Sequence, residues 1–330
     1  MFSLIKGHTN TIELLKGALD NPEGVPPVYL FAGVSGVGKR LVAFQTARYV
    51  NCTGTKMLDC GCKSCTIAKA KNHPGIITYA VPKRGVFSVG MARNLKSESD
   101  KRPFIGKYKV FIIEGFHKAT GEASNALLKL LEEPPSYCII ILLTDDLDRT
   151  MDTILSRCFS LNFFGVDSKY ITEFLISNLS IESKKAGNIA KLAGGSFSKA
   201  MEFLSADRHT SRKILFEMLL RLSYTTDKTI LSTCTYFKEN FNIHTVLEDI
   251  LMFFLDVKKF QMGIRELTDD SFDVEALSLM FTPTSLDSAL GLLFYTGGSD
   301  LENKEELFLS SFFLDVRGIM RKEYLFGVFV

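Results

Sequence analysis

The sequence predicts an α/β domain built on a parallel sheet and followed by an all-α region, and three observations carry that prediction. From Val28 to Phe163, short β-branched and aromatic runs alternate with segments of helical period. A glycine-rich turn separates the first of those runs from the first long helical pattern. After Arg208, strand-like runs largely disappear.

The elements follow in order. "VYLFA", from Val28, is an unbroken apolar run, as expected of a strand buried on both faces of a parallel sheet. "RLVAFQTARYV" is the helix after the turn. "GIITYA", "YKVFIIE", "CIIILLT" and "FSLNFF" are further strands, with "SNALLKLLEE" a helix among them. From about Asp167 to Ala206 short amphipathic segments split by "LAGGSFSKA" predict a small helical domain. "RKILFEMLLRLSY", "VLEDILMFFLDVKKFQM", "SLDSALGLLFY" and "EELFLSSFFLDVRGIMRK" all carry apolar residues at helical spacing, which predicts a helix bundle. The expected domains are therefore 1–166, 167–207 and 208–330, with no low-complexity linker and no internal repeat.

Composition sets the outer bounds. A chain of 330 residues is long for one domain, so two or three units are expected. Apolar residues make up 46 %, and the 27 Phe in a chain without Trp are expected mostly in the core. A net charge of +2 argues neither for nor against nucleic acid, so any DNA contact would come from a local basic face. No stretch approaches the roughly 18 apolar residues of a membrane span, so a soluble cytoplasmic protein with no membrane partner is expected. Seven cysteines, an odd number without an export signal, favour reduced thiols and a metal site over disulfides.

"GVSGVGKR", from Gly33 to Arg40, has the spacing of a phosphate-binding loop in its required strand–loop–helix setting. Gly33, Gly36 and Gly38 let backbone N–H groups converge on phosphate oxygens, the helix N-terminus adds partial positive charge, and Lys39 can reach the terminal phosphates. A glycine-rich turn without a ligand is the competing reading. The next position decides the chemistry. Ser or Thr there holds magnesium, whereas Arg40 has no lone pair to offer a metal. Phosphate binding is compatible with this loop; magnesium-dependent hydrolysis is not expected. The "YKVFIIE" strand ends in Glu114, a first carboxylate, but Gly115 has no side chain to act as a base.

"NALLKLLEEPP" (Asn125 to Pro135), followed by "ILSRC" (Ile154 to Cys158), closely resembles bacterial clamp-loader subunits of the AAA+ class. "KYKVFIIE", "NHPG" at Asn72 to Gly75 and a four-cysteine insert after the first helix extend the resemblance over at least residues 7–165. Within that family the delta-prime type of DNA polymerase III is nearest, because the chain starts directly at "LIKGHTNTIELLKGAL" without the longer lead of gamma/tau motor subunits. The resemblance implies an AAA+ P-loop domain over 1–166, a helical lid over 167–207 and an oligomerising helical collar over 208–330. It implies gamma/tau and delta subunits as partners, with the sliding clamp and primed DNA met through the complex. Arg157 of "SRC" matches the arginine finger inserted into a neighbouring motor subunit's site, a task suited to an always-charged guanidinium. An ordinary surface arginine in a turn is the alternative. Thr144 resembles the sensor at the end of the fourth core strand. The lid's sensor arginine would fall near Ser198, with Lys199 beside it as a weak substitute. Leu127, Leu130 and Leu131 of "LLKLLEEPP" fit a plain core helix.

Cys52, Cys60, Cys62 and Cys65 lie close enough for a tetrahedral thiolate site holding structural zinc. The family's usual spacing is Cys-x8-Cys-x2-Cys-x2-Cys; here it is x7, x1, x2, as though a residue near Gly61 had been deleted. Cys62 and Cys65 keep a normal knuckle, while Cys60 would bind under strain. The expected function is a non-catalytic delta-prime-type component of the DNA polymerase III holoenzyme, without ATPase activity on its own and with ATP or ADP binding left open. An active gamma/tau-type motor or a related DNA-remodelling ATPase is the alternative. A P-loop kinase is disfavoured by the collar-like helices and "SRC".

Overall fold

Five strands form one parallel sheet in this computed structural model: β1 (Val28–Ala32), β2 (Ile76–Ala80), β3 (Lys109–Glu114), β4 (Cys138–Thr144) and β5 (Phe159–Asn162), in the order β2-β3-β4-β1-β5. The structure describes all residues except 22–23, 83–84, 266–270, 297–304 and 326–330. The chain gathers into two compact units, Met1–Ser180 with Ala193–Lys199 and Ile181–Leu192 with Ala200–Val330.

The sheet explains why its strands read as unbroken apolar runs. Successive side chains point to opposite faces, and both faces are covered. Tyr29, Phe31, Val110, Ile112 and Ile141 enter one core, while Leu30, Phe111, Ile113, Ile140 and Leu142 enter the other. β1 and β4 are buried along their whole length, whereas the edge strands β2 and β5 are partly exposed. "FSLNFF" ends as a strand at Asn162; the Phe163 amide still donates to the Ala32 carbonyl at 2.7 Å, and Phe163 is buried while Phe164 is exposed.

Parallel pairing requires crossovers, and helices supply them. The first unit carries α1 (Thr9–Leu19), α2 (Lys39–Val50), α3 (Lys63–Lys69), α4 (Val89–Ser99), α5 (Gly121–Glu132), α6 (Asp152–Leu155) and α7 (Ser168–Leu179). Side-chain caps start three of them: Ser88 accepts from the Met91 amide, Thr120 from the Ala123 amide and Asp167 from the Lys169 amide. α5 buries Leu127, Leu130 and Leu131, as its core-helix pattern predicts, and it ends just before the proline pair. Register pairs Ala32 with Thr144 and Ala80 with Glu114, so the strands end level. Open parallel sheets bind ligands at that carboxyl edge.

The second unit is helical: α8 (Ser183–Leu192), α9 (Phe197–Phe203, its first residues in the first unit), α10 (Ala206–Arg221), α11 (Asp227–Asn240), α12 (Ile243–Gln261), α13 (Val274–Ser278), α14 (Pro283–Thr296) and α15 (Glu305–Leu325). Its core includes Leu219, Phe237, Ile250, Phe254 and Phe313. Among the described residues no strand follows Asn162. Arg208 and Arg212, one helical turn apart on α10, both reach the fully buried Asp249 of α12, at 2.8 and 2.6 Å. Residues 167–207 are shared between the units, with α7 in the first and α8 in the second. No described helix is long and apolar enough to cross a membrane.

Candidate functional site

The loop between β1 and α2 takes a path that only glycine permits at two points. Gly33 has φ +147°, and a Cβ there would lie 2.0 Å from the Phe163 carbonyl oxygen. Gly36 has φ +80°, and a Cβ would meet Ser196 Oγ at 2.2 Å. The segment after α8 pins the loop from outside: the Phe197 amide donates to the Gly36 carbonyl and the Ser196 hydroxyl to the Ser35 carbonyl. Gly38, also at positive φ, caps α2, whose first amides have no partner within the helix and therefore face an incoming anion.

Lys39 is buried at the start of α2. Its ammonium donates to the carbonyls of Gly33 and Val34 and pairs with Asp145 Oδ1 at 2.7 Å. Arg40, the next residue, is 74 % exposed at its side chain, with Nε 2.8 Å from Glu114 Oε1. That contact is a charge pair without hydrogen-bond alignment, since Glu114 Oε1 is buried with no hydrogen-bond partner. Burial raises the Glu114 carboxyl above its ordinary value, and Arg40 opposes that rise. Gly115 takes φ +71°, left-handed backbone that disfavours a side chain even though a Cβ would meet only Val81 at 3.7 Å.

Thr144 turns its hydroxyl to the chain that follows it. Oγ1 donates to the Asp146 carbonyl at 2.6 Å and accepts from the Asp146 amide at 3.2 Å. This local bonding aims Asp145 at Lys39. His117 supports the same turn, its Nδ1 accepting from the Asp145 amide at 3.2 Å, and burial lowers its pKa so that the ring stays neutral. Sequence reasoning missed Asp145 and His117. The only signal was the paired acids of "LTDD" directly after a buried strand, which read equally well as a solvated turn.

A cavity of about 1310 Å³ lies beside the loop within the first unit. Lys39, Arg40, Glu114 and Asp145 line it; Thr144 and Arg157 do not. Two further cations, Lys6 and Lys71, and the rings of Phe44, Tyr170 and Phe174 complete its character. His73 of "NHPG" also lines it. Its Nδ1 accepts from the Gly75 amide, which places the ring proton on Nε2, 3.0 Å from Ser64 Oγ of α3.

Arg157 follows α6 on the exposed surface. Its guanidinium donates to Glu132 Oε1 through Nε at 3.0 Å and Nη2 at 2.5 Å, and to the Thr153 carbonyl at 2.7 Å. Glu132 is the last residue of α5, so the "LLEEPP" and "SRC" stretches meet in space. The guanidinium is thus held in one orientation outside its own cavity.

The four cysteines converge although Cys60 comes from the shortened part of the insert. Their sulfurs all lie within 4.8 Å of one another, with Cys52 Sγ 3.6 Å from Cys60 and 4.0 Å from Cys62. A tetrahedral zinc–thiolate centre places sulfurs about 3.8 Å apart, so the donor set fits such an ion. All four are free of disulfides. Against the upward push of burial, hydrogen bonds from the Cys65 amide and from Thr53 hold the Cys62 thiol down at about 5. Burial drives Cys65 up to about 12. A bound cation would relieve that mismatch by favouring thiolate at every position.

A glycine loop after the first strand of a β2-β3-β4-β1-β5 sheet, with a lysine at the following helix and an acid at the end of β3, defines a P-loop nucleotide-binding-type domain. Residues 7–167 match the family described as DNA polymerase III, delta subunit. The chain is 30 % identical over 230 residues to the DNA polymerase III tau/gamma subunit of Haemophilus influenzae, covering 66 % of this chain and 33 % of that one. It is 31 % identical over 212 residues to the gamma/tau subunit of Mycoplasma genitalium, covering 62 % and 35 %. The matched stretch spans about a third of the length of these curated relatives. A gamma subunit-related protein of Thermotoga maritima superposes with a TM-score of 0.46 at 19 % identity, over 94 % of this chain and 100 % of that one. Over the matched stretch the chain is homologous to DNA polymerase III tau/gamma subunits.

Proposed function

We propose that the protein is a non-catalytic, delta-prime-type subunit of the DNA polymerase III clamp loader, which helps load the sliding clamp onto primed DNA and acts on a neighbour's nucleotide site. In this reading 1–166 is the AAA+ domain, 167–207 the lid and 208–330 the oligomerising collar. The four cysteines hold a structural zinc ion. Gamma/tau and delta subunits are the direct partners.

One observation carries the reading: the two positions that would handle magnesium and water hold Arg40 and Gly115, while Arg157 is held on the surface outside its own cavity. A guanidinium serves a phosphoryl-transfer site in trans by stabilising charge on the transferred group, and the pairing with Glu132 fixes Arg157 at the surface, where a partner can reach it. The loop and Lys39 explain retention of an anion site without a reaction.

The second reading is an active tau/gamma-type motor, favoured by the identity to those subunits. Two measurements separate them. The isolated chain should show no magnesium-dependent ATP turnover; turnover abolished by Lys39→Ala establishes the motor. In a loader reconstituted with gamma/tau and delta subunits, Arg157→Ala should leave assembly intact and lower DNA- and clamp-stimulated ATPase. Loss of a finger at one site costs about 10³ to 10⁵ in its rate, diluted by the other sites. An unchanged rate with assembly verified refutes the role of Arg157.

A further inference from the structure

A divalent cation at a phosphate loop needs oxygen donors, and the three oxygen-bearing side chains at the strand ends, Glu114, Thr144 and Asp145, are each engaged by a neighbour. The residue after the lysine contributes a guanidinium instead of a hydroxyl, and that guanidinium sits 2.8 Å from Glu114, the acid at the end of β3. Asp145 is paired with Lys39, and the Thr144 hydroxyl is bonded to its own turn, outside the cavity lining. A cation placed beside Glu114 would also meet the positive charge of Arg40. The residues do not fit magnesium.

The parts that bind phosphate are nevertheless present. The loop keeps its positive-φ glycines, the free amides at the start of α2 face the cavity, and Lys39, Lys6 and Lys71 line it. The volume of about 1310 Å³ exceeds what a phosphate alone needs, and Phe44, Tyr170 and Phe174 offer apolar walls for a ring. We infer that the loop takes a nucleoside polyphosphate as the free anion, without a divalent cation, Arg40 supplying the charge that the cation brings elsewhere. The inference rests on the reading of Gly33–Arg40 as a phosphate loop. It explains why a bulky cation is tolerated there: Arg40 is largely exposed and can turn from Glu114 toward a phosphate oxygen without repacking the core.

The test is calorimetric titration of the full chain with ADP and with ATP, once with EDTA and once with magnesium. The wild type should bind as tightly or more tightly in EDTA, with Lys39→Ala abolishing the signal. Arg40→Thr removes an exposed side chain and restores a hydroxyl. It should weaken binding in EDTA about tenfold, the worth of one charge-assisted hydrogen bond, and recover it with magnesium. Circular dichroism and the melting temperature verify that this variant is folded. Wild-type binding that strengthens tenfold or more with magnesium overturns the inference and leaves the phosphate loop standing. An unaltered EDTA affinity in Arg40→Thr overturns it equally. No binding in either buffer overturns the loop reading itself, and the inference with it.

Discussion

Asp145→Asn should tighten binding of magnesium-free ADP while destabilising the ligand-free fold. Lys39 has three ammonium protons, and its partners are two backbone carbonyls and the Asp145 carboxylate. A phosphate oxygen must displace one of them. The carbonyls belong to the loop that forms the site, so the carboxylate is the partner that leaves. A buried hydrogen bond to a charged group is worth about 1.5–3 kcal/mol. The Asp145 side chain is 39 % exposed, so solvent screening brings its share down to about 1 kcal/mol. Asparagine keeps the shape, a neutral acceptor and the amide held by His117, so the substitution isolates the charge. Affinity for ADP should rise about fivefold, the equivalent of that 1 kcal/mol. The unfolding free energy of the ligand-free protein should fall by a similar amount, because the buried ammonium loses its counter-charge. Titration calorimetry and urea unfolding of the same preparation give both numbers. Equal or weaker affinity in a folded variant would refute the idea that Asp145 holds the phosphate's place.

Asp249→Ala should cost about 3–5 kcal/mol in urea unfolding, because it leaves Arg208 and Arg212 buried without their shared carboxylate. Elemental analysis of protein prepared without chelators should give one zinc per chain, and Cys65→Ser should remove it and lower Tm by about 5 °C, as expected for a loss of roughly 2 kcal/mol. His73 is held below its ordinary value of 6.5 by burial, so the folded state binds a proton less readily than the unfolded one. Its contribution is present above pH 6.5 and is lost as pH falls through the folded value; urea midpoints across that interval should decline less in His73→Gln. Gly115→Glu should cost about 1–2 kcal/mol through its left-handed backbone, and it should not create ATP turnover while Arg40 remains.

What the sequence determined by itself was whatever depends on local pattern. The five strands were legible because unbroken apolar runs flanked by helices have few other uses, and the glycine loop because its spacing and setting are specific. The loss of a hydroxyl at Arg40 and of a side chain at Gly115 needed only the alphabet of the motif. Local pattern failed where composition concealed the period. α11 is rich in Ser and Thr, and only Ile230, Cys234 and Phe237 mark its buried stripe. Tertiary structure decided the contacts between distant segments. Asp145 meets Lys39 because parallel crossovers bring the ends of β1 and β4 level while separating them widely in sequence, and Glu132 meets Arg157 and Ser196 pins Ser35 through the packing of helix ends and loops. It also showed that the shortened insert still gathers its four sulfurs: Cys52 follows α2 and Cys65 is carried by α3, so the packing of those helices, rather than cysteine spacing, sets the distances. Charge pairing of this kind depends on the positions of atoms in space, and one-dimensional spacing does not encode it.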